Sequence, residues 1–212
     1  MSMTESANSE RELRKRQAFI DREQDILSVS ESLMVDKGVR KVSIDTIAAR
    51  TGIGKGTIYK HFDSKRDLLI AIAERHYAAL FELLGRSTDP TQALSDWIDA
   101  RLGGARKSIL IRELTETLAG DSGALSTLRE SQVRMRKRLA QVLSGLSTTR
   151  GEAMERAMWL ESLVQGALVE MESPLRSRSF DVDEWIESIT RIASVLLSQP
   201  KRPEKNQRLT YL

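Results

Sequence analysis

The feature that most constrains this chain is a glycine turn between two short amphipathic patterns in residues 43–67. The first pattern has apolar residues at the spacing of one helix face: Ile44, Ile47 and Ala48. Ser43 precedes this face and can accept a hydrogen bond from an amide of the first turn, while Gly52 follows it and can adopt the left-handed conformation that ends a helix. The sequence therefore predicts a short helix between these two residues.

A second short helix is predicted to open at Gly54 or Lys55, with Ile53 as an apolar residue inside the turn. Ile58 and Phe62 are four residues apart and share an inward face. Two short helices joined by a tight turn form a helix-turn-helix, whose second helix enters the major groove of DNA in many proteins. The residues that point away from the inward face are Lys55, Thr57, Tyr59, Lys60 and His61.

A third, longer helix follows at once. Ser64 with Asp67 three residues later resembles a capping box with Asp in place of Glu, and the apolar positions continue to Leu84. From Arg50 to Arg66 the sequence contains five basic residues and a single acidic residue, Asp63. The motif is therefore itself a basic patch, which phosphate binding requires.

At this point the sequence resembles a known family, the tetracycline-repressor (TetR) family of transcriptional regulators. The stretch from Thr57 to Phe62, followed by Ser64-Lys65 and the pair Leu68-Leu69, is similar to its signature. A preceding helix, residues 26–37, also matches, and the resemblance covers about residues 22–84. It implies an all-α fold with an N-terminal three-helix DNA-binding head, and a C-terminal helical domain for ligand binding and dimerisation.

The resemblance also implies DNA contacts, at Ser43, Lys55, Gly56, Thr57, Tyr59, Lys60, His61 and Lys65. Lys55 is the best candidate for reading a base, because a cationic donor can address guanine O6 and N7. Phosphate contacts, which set register rather than sequence, are expected from Ser43, Tyr59, His61 and Lys65. For His61 the alternative is a covered polar residue beside Phe62, and for Tyr59 it is an ordinary packing aromatic.

The glycines between Gly52 and Gly56 invite a different interpretation, as a phosphate-binding loop. A P-loop requires Gly-Lys-Ser/Thr in succession, whereas Lys55 is followed by Gly56. A dinucleotide fingerprint requires a preceding strand, whereas here a helix precedes. A helical nucleotide-binding or protein-interaction module without operator binding stays the alternative function.

Composition limits the chemistry further. The chain has a formal net charge of +3, no cysteine and two histidines, so a thiolate zinc site and a disulfide framework are excluded and no metal or cofactor is expected. No nucleophile motif supports catalysis, so we do not expect an enzyme. The N-terminus is polar and no apolar run approaches the ~20 residues that span a bilayer, so a cytoplasmic protein without membrane contact is expected.

The predicted organisation has four parts. Residues 1–21 form a polar N-terminal arm, either a helical extension or a basic arm that enters a minor groove. Residues 22–84 form the DNA-binding domain with its connecting helix, residues 85–200 the effector-binding and dimerisation domain, and residues 201–212 a basic tail. The boundary is placed at a linker, where Asp89 caps a helix that opens with Pro90.

The C-terminal helices have more apolar positions than one core-facing stripe requires, which favours a homodimer. Its interface is predicted at Ser162, Gly166, Trp185, Ile189, Ile192 and Leu196. An apolar effector cavity is predicted to be lined by Trp97, Met135, Met154, Met158 and Trp159, although core or interface positions are the alternative for each. The function expected from these patterns is a repressor that binds a palindromic double-stranded DNA operator and is released by a small-molecule effector.

Overall fold

The protein is described by a computed structural model over residues 3–146, 150–172, 183–184 and 186–191. Its helices, in chain order, are α1 Met3–Lys37, a 3-10 helix Val39–Lys41, α2 Ile44–Thr51, α3 Lys55–Ile58, α4 Lys65–Leu83, α5 Pro90–Leu102, α6 Ala105–Thr117, α7 Ser122–Ser144 and α8 Arg150–Glu172. No β-strand occurs among the described residues, and the predicted all-α fold is confirmed. Across the same residues, no helix combines the length and apolarity that crossing a bilayer requires.

The described chain divides into two compact units. The first, here called the head unit, joins the residues up to Leu80 with Gly104–Met135. The second, the body unit, joins Phe81–Gly103 with the described residues from Arg136 onward. This division differs from the predicted boundary at residues 84/85, because α6 and the first half of α7 pack with the N-terminal helices. The functional boundary stays a prediction.

The core of the head unit is built from the predicted apolar faces. Ile26, Met34, Ile47, Ile58 and Leu68 are at most 1 % exposed, and Phe62 lies beside them. Side chains of α6 and α7 complete this core: Leu110, Ile111, Leu114, Leu118, Ala124 and Leu128. Burial of this apolar surface is the main force that holds the short helices α2 and α3, since isolated helices of their length are unstable in water.

The ends of α2 follow the sequence signals. Ser43 caps its N-terminus, and its Oγ accepts the Thr46 backbone N–H at 3.2 Å. Gly52 ends the helix in the left-handed region, with a φ of 70°, and donates its N–H to the Ala48 carbonyl. Both predictions are confirmed, because each depends on chemistry within one helical turn.

The first turn of α4 also has its predicted cap. The Asp67 backbone N–H donates to Ser64 Oγ at 3.2 Å, and the Ser64 hydroxyl lies 2.6 Å from the Asp67 carboxylate. This cap makes α3 and α4 follow one another with six residues between them. The helix-turn-helix is therefore held by hydrogen-bonded caps at Ser43 before it and at Ser64 after it.

The N-terminal part of the chain continues α1 as one helix from Met3. Of the two alternatives for residues 1–21, the structure thus has the helical extension over its described part. Side chains from residue 9 to residue 22 are exposed. Phe19 on this extension reaches the helix-turn-helix, as described below.

In the body unit, α5 packs against α8. Its start is as predicted, with Pro90 in the first turn and Asp89 Oδ1 accepting the Thr91 N–H at 2.9 Å. Buried apolar side chains of this unit include Leu94, Trp97, Ile98, Leu102, Leu139, Leu143, Ala157, Leu160, Val164 and Leu168.

Candidate nucleic-acid interface

The recognition segment around α3 separates into a buried and an exposed side. Ile58 is fully buried and Phe62 is 6 % exposed, so the predicted inward face is confirmed. Backbone hydrogen bonds continue the helical turns beyond α3, from the Tyr59 N–H to the Lys55 carbonyl and from the Phe62 N–H to the Ile58 carbonyl, each at 3.0 Å. Within this segment the exposed predicted DNA contacts are Lys55, Gly56, Tyr59 and Lys60, and Thr57 is half-buried.

Lys55 has a partner that the sequence analysis did not place in the site. Its Nζ lies 2.5 Å from Asp45 Oδ1, and the two side chains are 59 % and 63 % exposed. The hydrogen bond to Asp45 raises the pKa of Lys55, so the ammonium stays charged. Asp45 lies in the first turn of α2, and the order of residues does not reveal the pair, because the tight turn between α2 and α3 brings the two side chains together.

His61 occupies a covered position. Its side chain is 4 % exposed, its ring stacks on Phe19 with centroids 4.0 Å apart, and its Nδ1 lies 3.7 Å from a Glu23 carboxylate oxygen. These contacts favour the packing alternative, with Phe19 rather than Phe62 as the stacked neighbour. Its role as a phosphate contact stays a prediction. Phe19 lies 42 residues away in sequence, where no local pattern could reveal the contact.

Lys65 is bound inside the protein. Its Nζ donates to the Val39 carbonyl oxygen at 3.1 Å, and partial burial lowers its pKa. This contact satisfies a carbonyl of the 3-10 helix that follows α1. Ser43 combines its capping role with exposure, and its Oγ lies 3.0 Å from Thr46 Oγ1. Lys65 and Ser43 therefore each have a structural role, and a phosphate contact, as predicted for them, would either replace that role or add to it.

The residues predicted to line an effector cavity are in different environments. Trp97 is fully buried under the guanidinium of Arg101, which lies 5.6 Å from its ring centroid. Met135 is fully buried in the head unit, whereas Met158 and Trp159 are 49 % and 64 % exposed. Met154 is half-buried and lines a cavity of about 430 Å³ with Lys137, Ala140, Gln141, Ser144 and Ala153.

Buried charges in the body unit were not anticipated. Glu161 is 9 % exposed, and burial raises its pKa while a hydrogen bond from Arg136 opposes that rise. Arg101 is 8 % exposed and donates to the Gln165 side chain at 3.4 Å. Sequence periodicity assigns these residues to helix faces, but it does not reveal that Arg136 meets Glu161 or that Arg101 meets Gln165.

The predicted dimer residues are described in part. Ser162 and Gly166 are exposed on α8, and Ile189 is buried. Trp185, Ile192 and Leu196 lie outside the described residues. The same holds for the predicted basic tail.

Comparisons with known proteins agree with this geometry. Residues 26–72 match a family model described as "Bacterial regulatory proteins, tetR family". A transcriptional activator, FasR of Mycolicibacterium smegmatis, is 32 % identical over 84 residues, which is 38 % of each chain. A regulator of Staphylococcus aureus is 37 % identical over 60 residues, 28 % of this chain and 32 % of its own. The chain thus spans less than two fifths of the length of these relatives.

Solved structures share the fold over most of their length. Reduced NemR of Escherichia coli has a TM-score of 0.66 at 23 % identity, covering 84 % of this chain and 99 % of its own. A regulator of Saccharomonospora viridis in complex with choline has a TM-score of 0.65 at 20 % identity, covering 82 % and 96 %.

The head unit is therefore that of a helix-turn-helix DNA-binding protein. Over residues 26–72 the chain is similar to the TetR family of bacterial regulatory proteins, so the resemblance found in the sequence is confirmed.

Proposed function

We propose that the protein is a homodimeric, sequence-specific transcriptional regulator that represses by binding a palindromic operator and leaves it when a small-molecule effector binds. The observation that supports this proposal is the recognition segment. Its residues Lys55, Tyr59 and Lys60 are exposed on helical turns. Buried Ile58 and Phe62 hold these turns in place. A rigid base with exposed donors is what groove recognition requires.

Operator binding is tested by in vitro selection from random duplex DNA with the full-length protein. We expect an enriched inverted repeat with half-site centres about 34 Å or slightly more apart, because each chain of a dimer supplies one reading helix. Selection that enriches no inverted repeat would reject the proposal.

Base and phosphate contacts are separated by two variants. Lys55→Ala should change the preferred base pair at one position of each half-site. Lys60→Ala removes an exposed cation and should weaken binding to all sequences, with a loss of about one unit of salt slope per phosphate contact. Lys65→Ala requires a parallel measurement of stability, because Lys65 also binds the Val39 carbonyl.

The dimer proposal is supported by an exposed stripe on α8. Its members are three or four residues apart and share one face, with apolar Met158 and Val169 beside small Ser162 and Gly166. Small residues let a second helix approach closely, and exposed apolar residues gain from being covered. Gly166→Arg should convert the dimer to monomer in light scattering and abolish binding to a full operator. Gly120→Arg, the same substitution at an exposed glycine outside α8, is the matched control. A dimeric Gly166→Arg variant would exclude this face.

The effector proposal is supported by the cavity of about 430 Å³ between α7 and α8, which falls in the size range of small-molecule sites. Met154→Trp should fill part of it and weaken effector binding, as measured by calorimetry with a compound found by thermal-shift screening. If the effector acts as a release signal, it weakens operator binding by some factor. Operator DNA must then weaken effector binding by the same factor. A compound with equal affinity in the presence and absence of operator would leave a DNA-binding protein that this compound does not regulate.

Repression and activation are distinguished in cells. FasR, which matches over 84 residues, is named an activator. A reporter with the selected operator overlapping its promoter should be silenced by the wild-type protein. Raised reporter expression instead would make the protein an activator at that site.

A further inference from the structure

The ion pair between Asp45 and Lys55 is on the exposed side of the helix-turn-helix. Asp45 lies in the first turn of α2, and Lys55 is the first residue of α3. Their charged atoms are 2.5 Å apart while more than half of each side chain is exposed. Because exposed ion pairs of this kind contribute little to folding, stability does not account for the arrangement.

The pair offers a donor and an acceptor side by side. An ammonium has three donors and a carboxylate has about four acceptor positions, so each group keeps capacity after bonding to the other. In the major groove a G·C pair presents two acceptors on guanine, O6 and N7, followed by the N4 amino donor of cytosine. An A·T pair presents its donor between two acceptors, followed by a methyl group. A carboxylate beyond the ammonium therefore matches cytosine N4 and faces the thymine O4 acceptor unfavourably.

We propose that Asp45 and Lys55 together read one G·C pair in each half-site, with the Lys55 ammonium donating to guanine and the Asp45 carboxylate accepting from cytosine N4. This inference rests on the proposed function of operator binding through α3. Asp45 becomes a specificity residue, and Lys55 no longer acts as an isolated donor.

The Asp45 charge has a second consequence, which makes the role measurable. A carboxylate in the interface repels phosphates, so it lowers affinity for every DNA sequence that gives it no donor. Asp45→Asn should therefore strengthen non-specific binding while it weakens discrimination at one base pair. A structural role in α2 would lower both together.

The experiment uses the full-length protein and the operator recovered by selection with the wild type. Binding of wild type, Asp45→Asn and Lys55→Ala is measured by competition against operators in which the G·C pair at the Lys55-dependent position is replaced by each other base pair. For the wild type we expect replacement by A·T to weaken binding roughly tenfold or more, the usual effect of one mismatch. For Asp45→Asn the same replacement should have an effect of less than about threefold, and non-specific affinity should rise.

Two base analogues identify the guanine atoms that are contacted, and two further variants control for charge and for folding. Inosine in place of guanine leaves O6, N7 and the cytosine N4 donor in place, so it should bind as guanine does, whereas 7-deazaguanine lacks N7 and should weaken the wild type but not Lys55→Ala. Asp36→Asn removes one negative charge from the head unit, as Asp45→Asn does, but at an exposed position on α1. If its non-specific affinity for DNA rises by the same amount, the effect of Asp45→Asn is explained by net charge and the inference is overturned. Circular dichroism of Asp45→Asn should show an intact thermal transition. If it does not, Asp45→Glu, which keeps the carboxylate, should retain the G·C preference, and its loss would also overturn the inference.

The outcomes separate this inference from the proposed function. If an operator is enriched and the wild type and Asp45→Asn have the same base preferences, the joint reading by Asp45 and Lys55 is overturned and the proposed operator binding stands. If the wild type selects adenine at the Lys55-dependent position and Asp45→Asn does not, the assignment to a G·C pair is overturned. If the wild type enriches no sequence, the proposed function fails, and the inference fails with it.

Discussion

Glu31 connects three helices of the head unit, and its replacement by Gln gives a prediction whose size follows from the contacts. Its carboxylate binds Arg75 of α4 and lies 3.0 Å from Lys107 Nζ of α6. Glu31 is 17 % exposed and Arg75 is 25 % exposed, whereas Lys107 is 66 % exposed. The Arg75 bond is thus largely shielded, and the Lys107 bond is mostly in water.

The free energy of unfolding should fall by about 1.5 to 2.75 kcal/mol in Glu31→Gln. A hydrogen bond to a charged group contributes about 1.5–3 kcal/mol when shielded, and an exposed ion pair about 0–1 kcal/mol. Gln keeps the shape and one acceptor, so the lower half of the sum applies. For a chain of this size the midpoint of thermal unfolding should drop by roughly 3 to 11 °C.

The assay is urea unfolding followed by circular dichroism at pH 7 and at a series of pH values below 4.5. Burial raises the pKa of Glu31, but the hydrogen bonds from Lys107 and Arg75 outweigh it, so the pKa is lowered from 4.5. The stabilisation is therefore complete above pH 4.5 and is lost as the pH falls through the lowered value. Asp36→Asn is the control, because it is exposed on the same helix and should change stability by less than about 0.5 kcal/mol.

Two results would refute this reasoning. One is a Glu31→Gln variant as stable as the wild type at pH 7. The other is a loss of stability that does not shrink at any pH below 4.5, since a neutral carboxyl cannot supply the charge that Gln lacks.

Further predictions concern single side chains of the head unit. Ile58→Ala should cost about 2–5 kcal/mol in urea unfolding, because it leaves a cavity in the core; a cost below about 1 kcal/mol would show that the site collapses. Gly52→Ala should cost about 1–2 kcal/mol, since a φ of 70° strains any residue with a Cβ, and equal stability would contradict the left-handed turn. Phe19→Ala should lower stability by about 0.5–1.5 kcal/mol through the lost stacking on His61; operator affinity that falls much further in gel-shift titration would assign the pair to DNA binding. Asp121→Asn should destabilise above pH 3.8 but progressively less towards pH 2, because Arg66 lowers the pKa of this carboxyl to about 2; a difference that persists unchanged at pH 2 would exclude the ion pair as its cause.

The parts of the fold that the sequence predicts are those controlled by neighbouring residues. Ser43, Gly52 and Asp89 each act within one turn of their own helix, so their effects are visible in residue order. The apolar faces of α2 and α3 follow from periodicity in the same way. The TetR resemblance adds the three-helix order, because its signature spans the turn and the start of α4.

The site is less predictable, because its decisive contacts join residues far apart in sequence. His61 is covered by Phe19, and the Lys65 ammonium donates to the Val39 carbonyl, so two residues expected to contact DNA have protein partners. Periodicity indicates only that a side chain points outward, and it does not show which neighbouring helix extends over it. The pairing of Lys55 with Asp45 is invisible for the same reason.

The first turn of α4 shows how an effector signal could reach the recognition segment. This turn begins at Lys65, three residues after Phe62, so α3 cannot change its tilt without displacing it. Lys65 binds the 3-10 helix at Val39, and Arg66 binds both carboxylate oxygens of Asp121, the residue whose side chain caps α7. Two polar contacts on successive residues therefore fix this turn to the rest of the head. A ligand that moves α4 along its axis must break these contacts or carry α7 with it, and each broken charge-assisted bond would reduce the coupling free energy that the effector can deliver to DNA.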